Sequence, residues 1–364
     1  MKLLLTCTAG LEGAVALELK ELNYKIISST SGRILIDAEV KDVPELNLLL
    51  RSAERVLWLI VEHEVKTFDE LFEVTYNTDW KSIIDKDGLI VVSDIVTRNS
   101  VVSAKGAIAS VVKAAIYKKL SPMYLSSKRK EKIYPIRIII KNNVLQIFLD
   151  TTGKNGLNKR GYRKKASKAP LRETIAAGLV ILSRWKKEIP LIDPFCGSGT
   201  ILIEAALLSN KMLPGLRRDF VSQNWSVFKE SWNKTREILR VSYCQQYSGQ
   251  DIRGYDIDKK VLNVANENAR NAGVDFIRFF QSSFDNIPGR DDNVYIITNP
   301  PYGSRLQLEP GFIKRLNILW KKFPEAKIYI LSPEKDFEKK LGIRATKKFR
   351  FQNSGLWIWY YMFY

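Results

Sequence analysis

Asp193-Pro194-Phe195-Cys196-Gly197-Ser198-Gly199-Thr200 is the stretch on which the fold reading turns. It follows an apolar run beginning at Leu191 and precedes another, Ile201 to Leu208. The first run predicts a strand and the second a helix. Gly197 and Gly199 let the backbone pass close under a ligand, because no Cβ intervenes. The free N–H groups that open the helix suit a carboxylate. The spacing fits neither G-x-G-x-x-G nor G-x-x-x-x-G-K-[ST], so dinucleotide and P-loop readings lose.

Downstream of this loop, strand and helix patterns alternate. Ile252–Tyr255, a helix over 259–270, Phe276–Gln281, Val294–Thr298, a helix over 311–322 and Lys327–Leu331 follow in turn. This is the pattern of a doubly wound parallel sheet. The aromatic-rich end, Leu356 to Tyr364, reads as a strand able to pair with Arg344 to Phe351. Ligands of such sheets bind at the carboxyl ends of the strands. Two further motifs fall at such ends. In Gly254-Tyr255-Asp256-Ile257-Asp258, Asp256 is suited to accept both hydroxyls of a ribose and Asp258 to cap the next helix. In Asn299-Pro300-Pro301-Tyr302-Gly303, the prolines fix the backbone. The Asn299 side-chain carbonyl and the Pro300 carbonyl can then accept from one exocyclic amino group. Tyr302 offers a flat face on which a base can stack. Taken alone, the same motif also fits a plain structural turn with a core tyrosine.

Upstream, Leu3 to Thr8 predicts a strand, and Ala14, Leu17, Leu19 and Leu22 mark a helix. Arg33 to Ala38 alternates as a strand, Pro44 to Ala53 reads as a helix, and Val56 to Val61 is an apolar run. Alternation of this kind predicts a small α+β sandwich of ferredoxin-like type. Residues 66–150 repeat the idea. Helices are expected over Phe68–Tyr76 and Lys105–Leu120. Strands are expected over Leu89–Thr97, Pro135–Ile140 and Val144–Asp150, the last two turning at Asn142-Asn143. Lys128, Arg129 and Lys130 lie in a polar connection between them.

Charge narrows the partner. The 364 residues carry a formal net charge of +19. The first sixty are close to neutral, whereas residues 151–190 hold 11 basic and 2 acidic side chains. A solubilising coat would be spread more evenly, so a polyanion, most often nucleic acid, is the expected partner. Within residues 151–170, Lys159, Arg160, Tyr162 and Arg163 interleave with glycines and no acid intervenes. This reads as a linker lying along a phosphate backbone, with a solvated loop as the alternative.

Scarcity excludes other chemistry. The single histidine, His63, rules out zinc sites built from two or three histidines and H-E-x-x-H helices. Cys7, Cys196 and Cys244 form no C-x-x-C pair, so neither a disulfide framework nor a metal knuckle is expected. No run approaches the roughly 20 apolar residues needed to span a bilayer. A cytoplasmic protein without metal is the expectation.

Together these motifs resemble the class I S-adenosylmethionine-dependent amino-methyltransferases. Asp193 to Thr200 looks like their motif I and Asn299 to Tyr302 like their motif IV. Thr6 to Glu12, Leu149 to Gly153, Lys159 to Arg163, Ala169 to Thr174 and Pro214 to Phe220 are similar to the front end, domain junction and insertion of one subfamily. These are the THUMP-containing RNA methyltransferases related to the N-terminal half of the bacterial 23S rRNA guanine-N2 methyltransferase. The resemblance covers essentially the whole chain.

It implies an α+β front (ferredoxin-like plus THUMP) followed by an α/β Rossmann-like class I methyltransferase domain. The expected domains are 1–65, 66–160 with the basic linker, and 161–364. S-adenosylmethionine is implied as cofactor, held by Asp193, Phe195, Gly197, Gly199, Thr200, Asp256, Ser283, Phe284 and Asn299. Asn299, Pro300 and Tyr302 are implied as the catalytic set. Lys128, Arg129, Lys130, Lys159, Arg160, Tyr162 and Arg163 are expected on RNA, with rRNA favoured over tRNA. Two departures stand out. Ser304 occupies a position where the subfamily often has an acid. The adenine-contacting position falls on Ser283, with Asp285 as its rival. Adenine-N6 methylation of RNA or DNA shares motif IV, and a non-catalytic RNA-binding protein is the reading from another class. With no histidine in the scheme, the rate should rise little through pH 6–7.

Overall fold

The structure, a computed structural model, describes residues 1–121, 131–163, 171–242, 249–301, 311–353 and 355–364. The front half contains β1 (Lys2–Cys7), α1 (Glu12–Glu21), β2 (Ile26–Thr30), β3 (Arg33–Asp37), α2 (Asp42–Leu49), β4 (Ala53–Glu64), α3 (Phe68–Asn77), β5 (Gly88–Arg98), α4 (Lys105–Leu120), β6 (Lys132–Lys141) and β7 (Val144–Asp150). The second half contains α5 (Glu173–Ser183), β8 (Leu191–Asp193), α6 (Thr200–Ser209), α7 (Lys229–Ser242), β9 (Ile252–Asp256), α8 (Lys259–Ala272), β10 (Arg278–Gln281), β11 (Tyr295–Thr298), α9 (Phe312–Arg315), α10 (Ile318–Lys322), β12 (Lys327–Ser332), α11 (Phe337–Leu341), β13 (Lys347–Asn353) and β14 (Leu356–Phe363).

The front half is organised by the length of β4. Its twelve residues pair with β1 through Ala53–Trp58 and with β7 through Leu57–Glu64, antiparallel in both cases. One seven-stranded sheet, ordered β2-β3-β1-β4-β7-β6-β5, therefore runs through both expected front modules. Its main core includes Leu3, Leu5, Val56, Val61, Ile136 and Ile138. The opposite face holds only a small cluster around Leu4, Leu57, Ile139 and Phe148. Asn142 and Asn143 both adopt positive φ, the conformation a two-residue hairpin turn between β6 and β7 requires.

The second sheet is ordered β10-β9-β8-β11-β12-β14-β13. Strands β8 to β12 are parallel, and β14 runs antiparallel to both β12 and β13. Chain order reverses between β8 and β11, and there the crevice of a doubly wound sheet opens. Both faces are covered, one by a core around Leu202, Ile203, Ile297 and Tyr360, the other by a core around Ile296, Leu319, Ile328 and Phe337. This accounts for the nearly continuous apolar runs of β11 and β12.

Several expectations differ from what is found. The helix expected over Pro44 to Ala53 ends at Leu49, and Ala53 already belongs to β4. Strand β2 was not anticipated, because Ser28, Ser29 and Thr30 make it a polar, exposed edge. The helix expected over 311–322 is two short helices, α9 and α10. Helix α7 was also unforeseen. It belongs to an insertion that buries Leu213, Phe220, Trp225, Phe228, Trp232 and Leu239 in the core of the front half. Trp225 stacks on Tyr134 at 4.5 Å and donates to the Ile133 carbonyl at 2.9 Å. The catalytic-side insertion thus clamps the front sheet.

Residues 151–163 have no regular secondary structure, yet they are not a free linker. Thr151, Thr152, Leu157, Arg160 and Tyr162 are all buried. Thr152 donates to Asn47 at 2.8 Å, and Arg160 spans both halves by donating to the carbonyls of Arg51 and Leu157 and pairing with Glu204 at 3.5 Å.

Candidate functional site

The carboxyl ends of β8, β9, β10 and β11 bring motif residues from four separate stretches to one edge. Asp193 ends β8, and its chain turns through Pro194 to Ser198 into α6. Gly197 has φ +53° and Gly199, at the helix N-cap, φ +81°. Left-handed backbone of this kind favours glycine. At Gly199 a Cβ would lie 3.0 Å from the Phe279 ring and 3.3 Å from Ala265. At Gly197 a Cβ would meet nothing within 4 Å, so the loop opens onto free space where a ligand can approach the backbone.

Asp256, at the end of β9, accepts from the Gly197 N–H at 3.0 Å and from the Asp258 N–H at 2.9 Å. These bonds aim the carboxylate across the glycine loop. Asp258 caps α8 by accepting from the Lys260 N–H at 2.8 Å, as expected for that residue. Ile257, between them, is 70% exposed. An apolar side chain left open beside the Asp256 carboxylate is suited to a flat ring. Sequence reasoning missed it, although an isoleucine flanked by two aspartates was the available signal.

Asp193 is buried. Its carboxylate accepts from the Phe195 N–H at 3.0 Å and from the Thr298 hydroxyl at 2.6 Å. Burial pushes its pKa up to about 7, with a smaller push from the negative charge of Asp256. Asp193 is therefore a group poised near neutrality in a site that has no histidine. Thr298 was also missed, although a threonine ending an apolar strand beside Asn299 is a legible sign. Cys196 lies in the same loop, but burial holds its thiol well above the ordinary range, so it is no nucleophile.

Asn299 follows β11. Its Oδ1 is buried and, among the described residues, accepts no hydrogen bond. An acceptor left bare in this way costs free energy unless a ligand donor completes it. Pro300 is buried beside it. Tyr302 lies outside the described residues. Phe195, Phe284 and Phe312 form an aromatic cluster with centroids 5.0 to 5.9 Å apart. Ser283 donates to Asp285 at 3.5 Å, and Asp285 is paired with Arg315. The carboxylate that rivals Ser283 is thereby already engaged.

The residues expected on RNA divide. Lys128, Arg129 and Lys130 lie outside the described residues. Lys159 is exposed. Arg160 and Tyr162 are interior, and Tyr162 donates to Glu204 at 3.1 Å, so neither offers a face to a nucleic acid. Arg163 pairs with Glu173 at 3.4 Å and donates to the Thr200 hydroxyl at 2.8 Å, which ties the strap to the start of α6. The physical reason is that this half-chain junction buries acids, Glu173 and Glu204, and the nearby basic residues are recruited to neutralise them. Among the described residues no helix is long and apolar enough to cross a membrane.

Comparison with known proteins accords with this geometry. Residues 160–356 match the model of the RMKL-like methyltransferase domain, and residues 2–57 match that of the RlmL ferredoxin-like domain. The chain is 35% identical to a Bacillus subtilis protein named "Putative RNA methyltransferase YpsC", covering 100% of this chain and 95% of that one. It is 33% identical to "Ribosomal RNA large subunit methyltransferase K/L" of Aliivibrio fischeri, covering 98% of this chain and 52% of that protein. The chain thus spans about half the length of the K/L relatives. A solved structure described as SMU.472, "a putative methyltransferase complexed with SAH", is 30% identical with a TM-score of 0.89, covering 100% of this chain and 97% of that one.

Proposed function

Since this chain belongs to the family of RMKL-like methyltransferases, we propose that it methylates RNA, at the exocyclic N2 of a guanine in large-subunit (23S) ribosomal RNA. The observation that carries this reading is the bare, buried Oδ1 of Asn299 beside Pro300 at the carboxyl end of β11. A bare acceptor at this edge suits an entering amino group. A protein that merely bound RNA would gain nothing from it.

S-adenosylmethionine is the cofactor, and when bound it supplies an activated methyl group on a positively charged sulfur. The residues available to hold it fit its parts. Asp256 suits ribose hydroxyls, Ile257 and Phe284 give apolar faces to the adenine, and Ser283 offers a polar contact to the adenine edge. Gly197 leaves room at the loop, while Asp193 and Thr200 suit the amino-acid end.

The lone pair of a guanine N2 is delocalised into the ring. Asn299 Oδ1 and the Pro300 carbonyl accept hydrogen bonds from the amine, which localises that pair and stabilises positive charge as it develops. Tyr302 stacks on the ring and fixes its attitude. N2 gains a methyl group and loses one proton, which passes from the two carbonyl acceptors to water. A guanine within a helix must first be turned out of the stack. The carboxylate of Asp193 governs cofactor capture rather than the transfer itself.

Nucleoside mass spectrometry of ribosomal and transfer RNA from a strain lacking this gene tests the reading. Loss of N2-methylguanosine from large-subunit rRNA supports it. Loss from tRNA instead redirects the substrate. Unchanged N2-methylguanosine with loss of N6-methyladenosine overturns it.

A further inference from the structure

The C-terminal hairpin carries a concentration of cations and rings that the cofactor site does not use. Because β14 runs antiparallel to β12, its first residues lie at the carboxyl edge of the parallel strands. Trp359 pairs with Ser332, the last residue of β12, and Trp357 lies two residues further out. This is the edge that carries Gly197, Asp256 and Asn299. Across the hairpin, Lys348 faces Tyr361, Arg350 faces Trp359, and Gln352 faces Trp357. Strand alternation puts all six side chains on one face. It is the face of the Phe195 and Phe284 cluster, since Trp359 and Tyr361 pack into the same core. Their neighbours Phe351, Ile358 and Tyr360 fill the opposite one.

The cations sit on the rings. The Arg350 guanidinium lies 4.8 Å from the centre of Trp357 and 6.0 Å from that of Trp359. Lys348 is 5.8 Å from Trp359 and 5.7 Å from Tyr361, and is also paired with Glu338. Among the described residues no carboxylate pairs with Arg350. Trp357 is 46% exposed and Leu356 59%. An exposed indole, Trp357, and a half-buried one, Trp359, beside a guanidinium with no carboxylate partner among the described residues match unpaired nucleotides, whose bases stack without regard to sequence and whose phosphates carry the opposite charge. The front half reaches this hairpin directly. Gln352 N–H donates to the Ala9 carbonyl at 3.0 Å, and Gly10, at φ +95°, packs so closely on the Arg350 carbonyl that a Cβ would clash. The hairpin is therefore continuous with the front sheet on one side and with the catalytic edge on the other.

We propose that Arg350, Trp357 and Trp359 form a stacking platform for unpaired nucleotides that flank the target base in the RNA substrate. The proposal rests on the RNA reading of the preceding section. The test uses the full chain and two readouts. In steady-state turnover on 23S rRNA, Trp357→Ala and Arg350→Ala should each raise KM for RNA about tenfold. The kcat at saturating RNA and the cofactor dissociation constant should stay unchanged. In fluorescence titration with single-stranded octariboadenylate, Trp357→Ala should weaken binding by a similar factor, and Trp357→Phe should retain most of it. Unaltered KM and unaltered octamer binding in both alanine variants would overturn the platform. An intact chain that ignores the octamer would overturn it too, in favour of a protein partner at this face. If the chain methylates no RNA yet binds the octamer through Trp357, the proposed activity falls and the platform stands.

Discussion

Two stretches of this chain combine basic and aromatic residues, and they do opposite things. Residues 159–163 bring together Lys159, Arg160, Tyr162 and Arg163, and residues 347–359 bring together Lys347, Lys348, Arg350, Trp357 and Trp359. The first group turns inward. Arg160 and Tyr162 meet the buried Glu204, and Arg163 meets Glu173. The second stays at the surface, with Arg350 resting on indole rings. Composition does not separate them. What separates them is whether buried acids wait nearby to be neutralised. A basic segment is a nucleic-acid contact only where its charges are left over.

That contrast can be broken most severely at Arg160. Truncating one member of a buried ion pair strands its partner's charge, so Arg160→Ala should cost roughly 3–5 kcal/mol in chemical denaturation. Arg350→Ala should change stability by less than about 0.5 kcal/mol. Equal effects would erase the distinction between strap and platform. Neither region is where we place the reacting amine, whose contact is a role proposed for Asn299. Asn299→Ala should lower kcat by about 10²–10³ while sparing the cofactor dissociation constant, as read by calorimetry beside turnover.

A smaller effect is expected at Gly199. Placing alanine at φ +81°, against Phe279, should cost roughly 1–3 kcal/mol. It should be visible as a lower melting temperature together with weaker cofactor binding. Next comes pH. Burial pushes the carboxyl of Asp193 up to about 7, and if, as proposed, it meets the ammonium end of the cofactor, only its ionised form attracts that group. Cofactor affinity should therefore rise as pH increases from 6 to 7.5, by at most about tenfold. Asp193→Asn should lose the dependence, which equilibrium dialysis at the two pH values would record. The smallest effect belongs to Lys159, the exposed member of the strap. Lys159→Ala should reduce the dependence of log binding on log salt by about one, with cofactor affinity unchanged.

The parts of the fold legible in the sequence were those where local pattern and global role agree. The glycine loop, the acid ending β9, the proline turn after β11 and the Asn142-Asn143 hairpin all announce themselves through residues with narrow backbone preferences. The terminal hairpin was legible from its run of aromatic, strand-forming residues. The insertion carrying α7 was not, because its Trp225, Trp232 and Phe228 are spent on a distant sheet and no local periodicity reports that. The strap was misread for a related reason. Its partners Glu173 and Glu204 lie in later helices whose acids look ordinary one by one. In the site, Thr298 and Ile257 became meaningful only once β8, β9 and β11 stood side by side.

The central claim is that this edge methylates a guanine amino group in RNA through Asn299. The most direct test incubates the purified chain with methyl-labelled S-adenosylmethionine and large-subunit rRNA lacking the modification, then digests the RNA and separates its nucleosides. The account predicts label in N2-methylguanosine, formed about 10²–10³ times more slowly when Asn299 is replaced by alanine. Label in N6-methyladenosine, or N2-methylguanosine formed at a near-normal rate by the alanine variant, would contradict it.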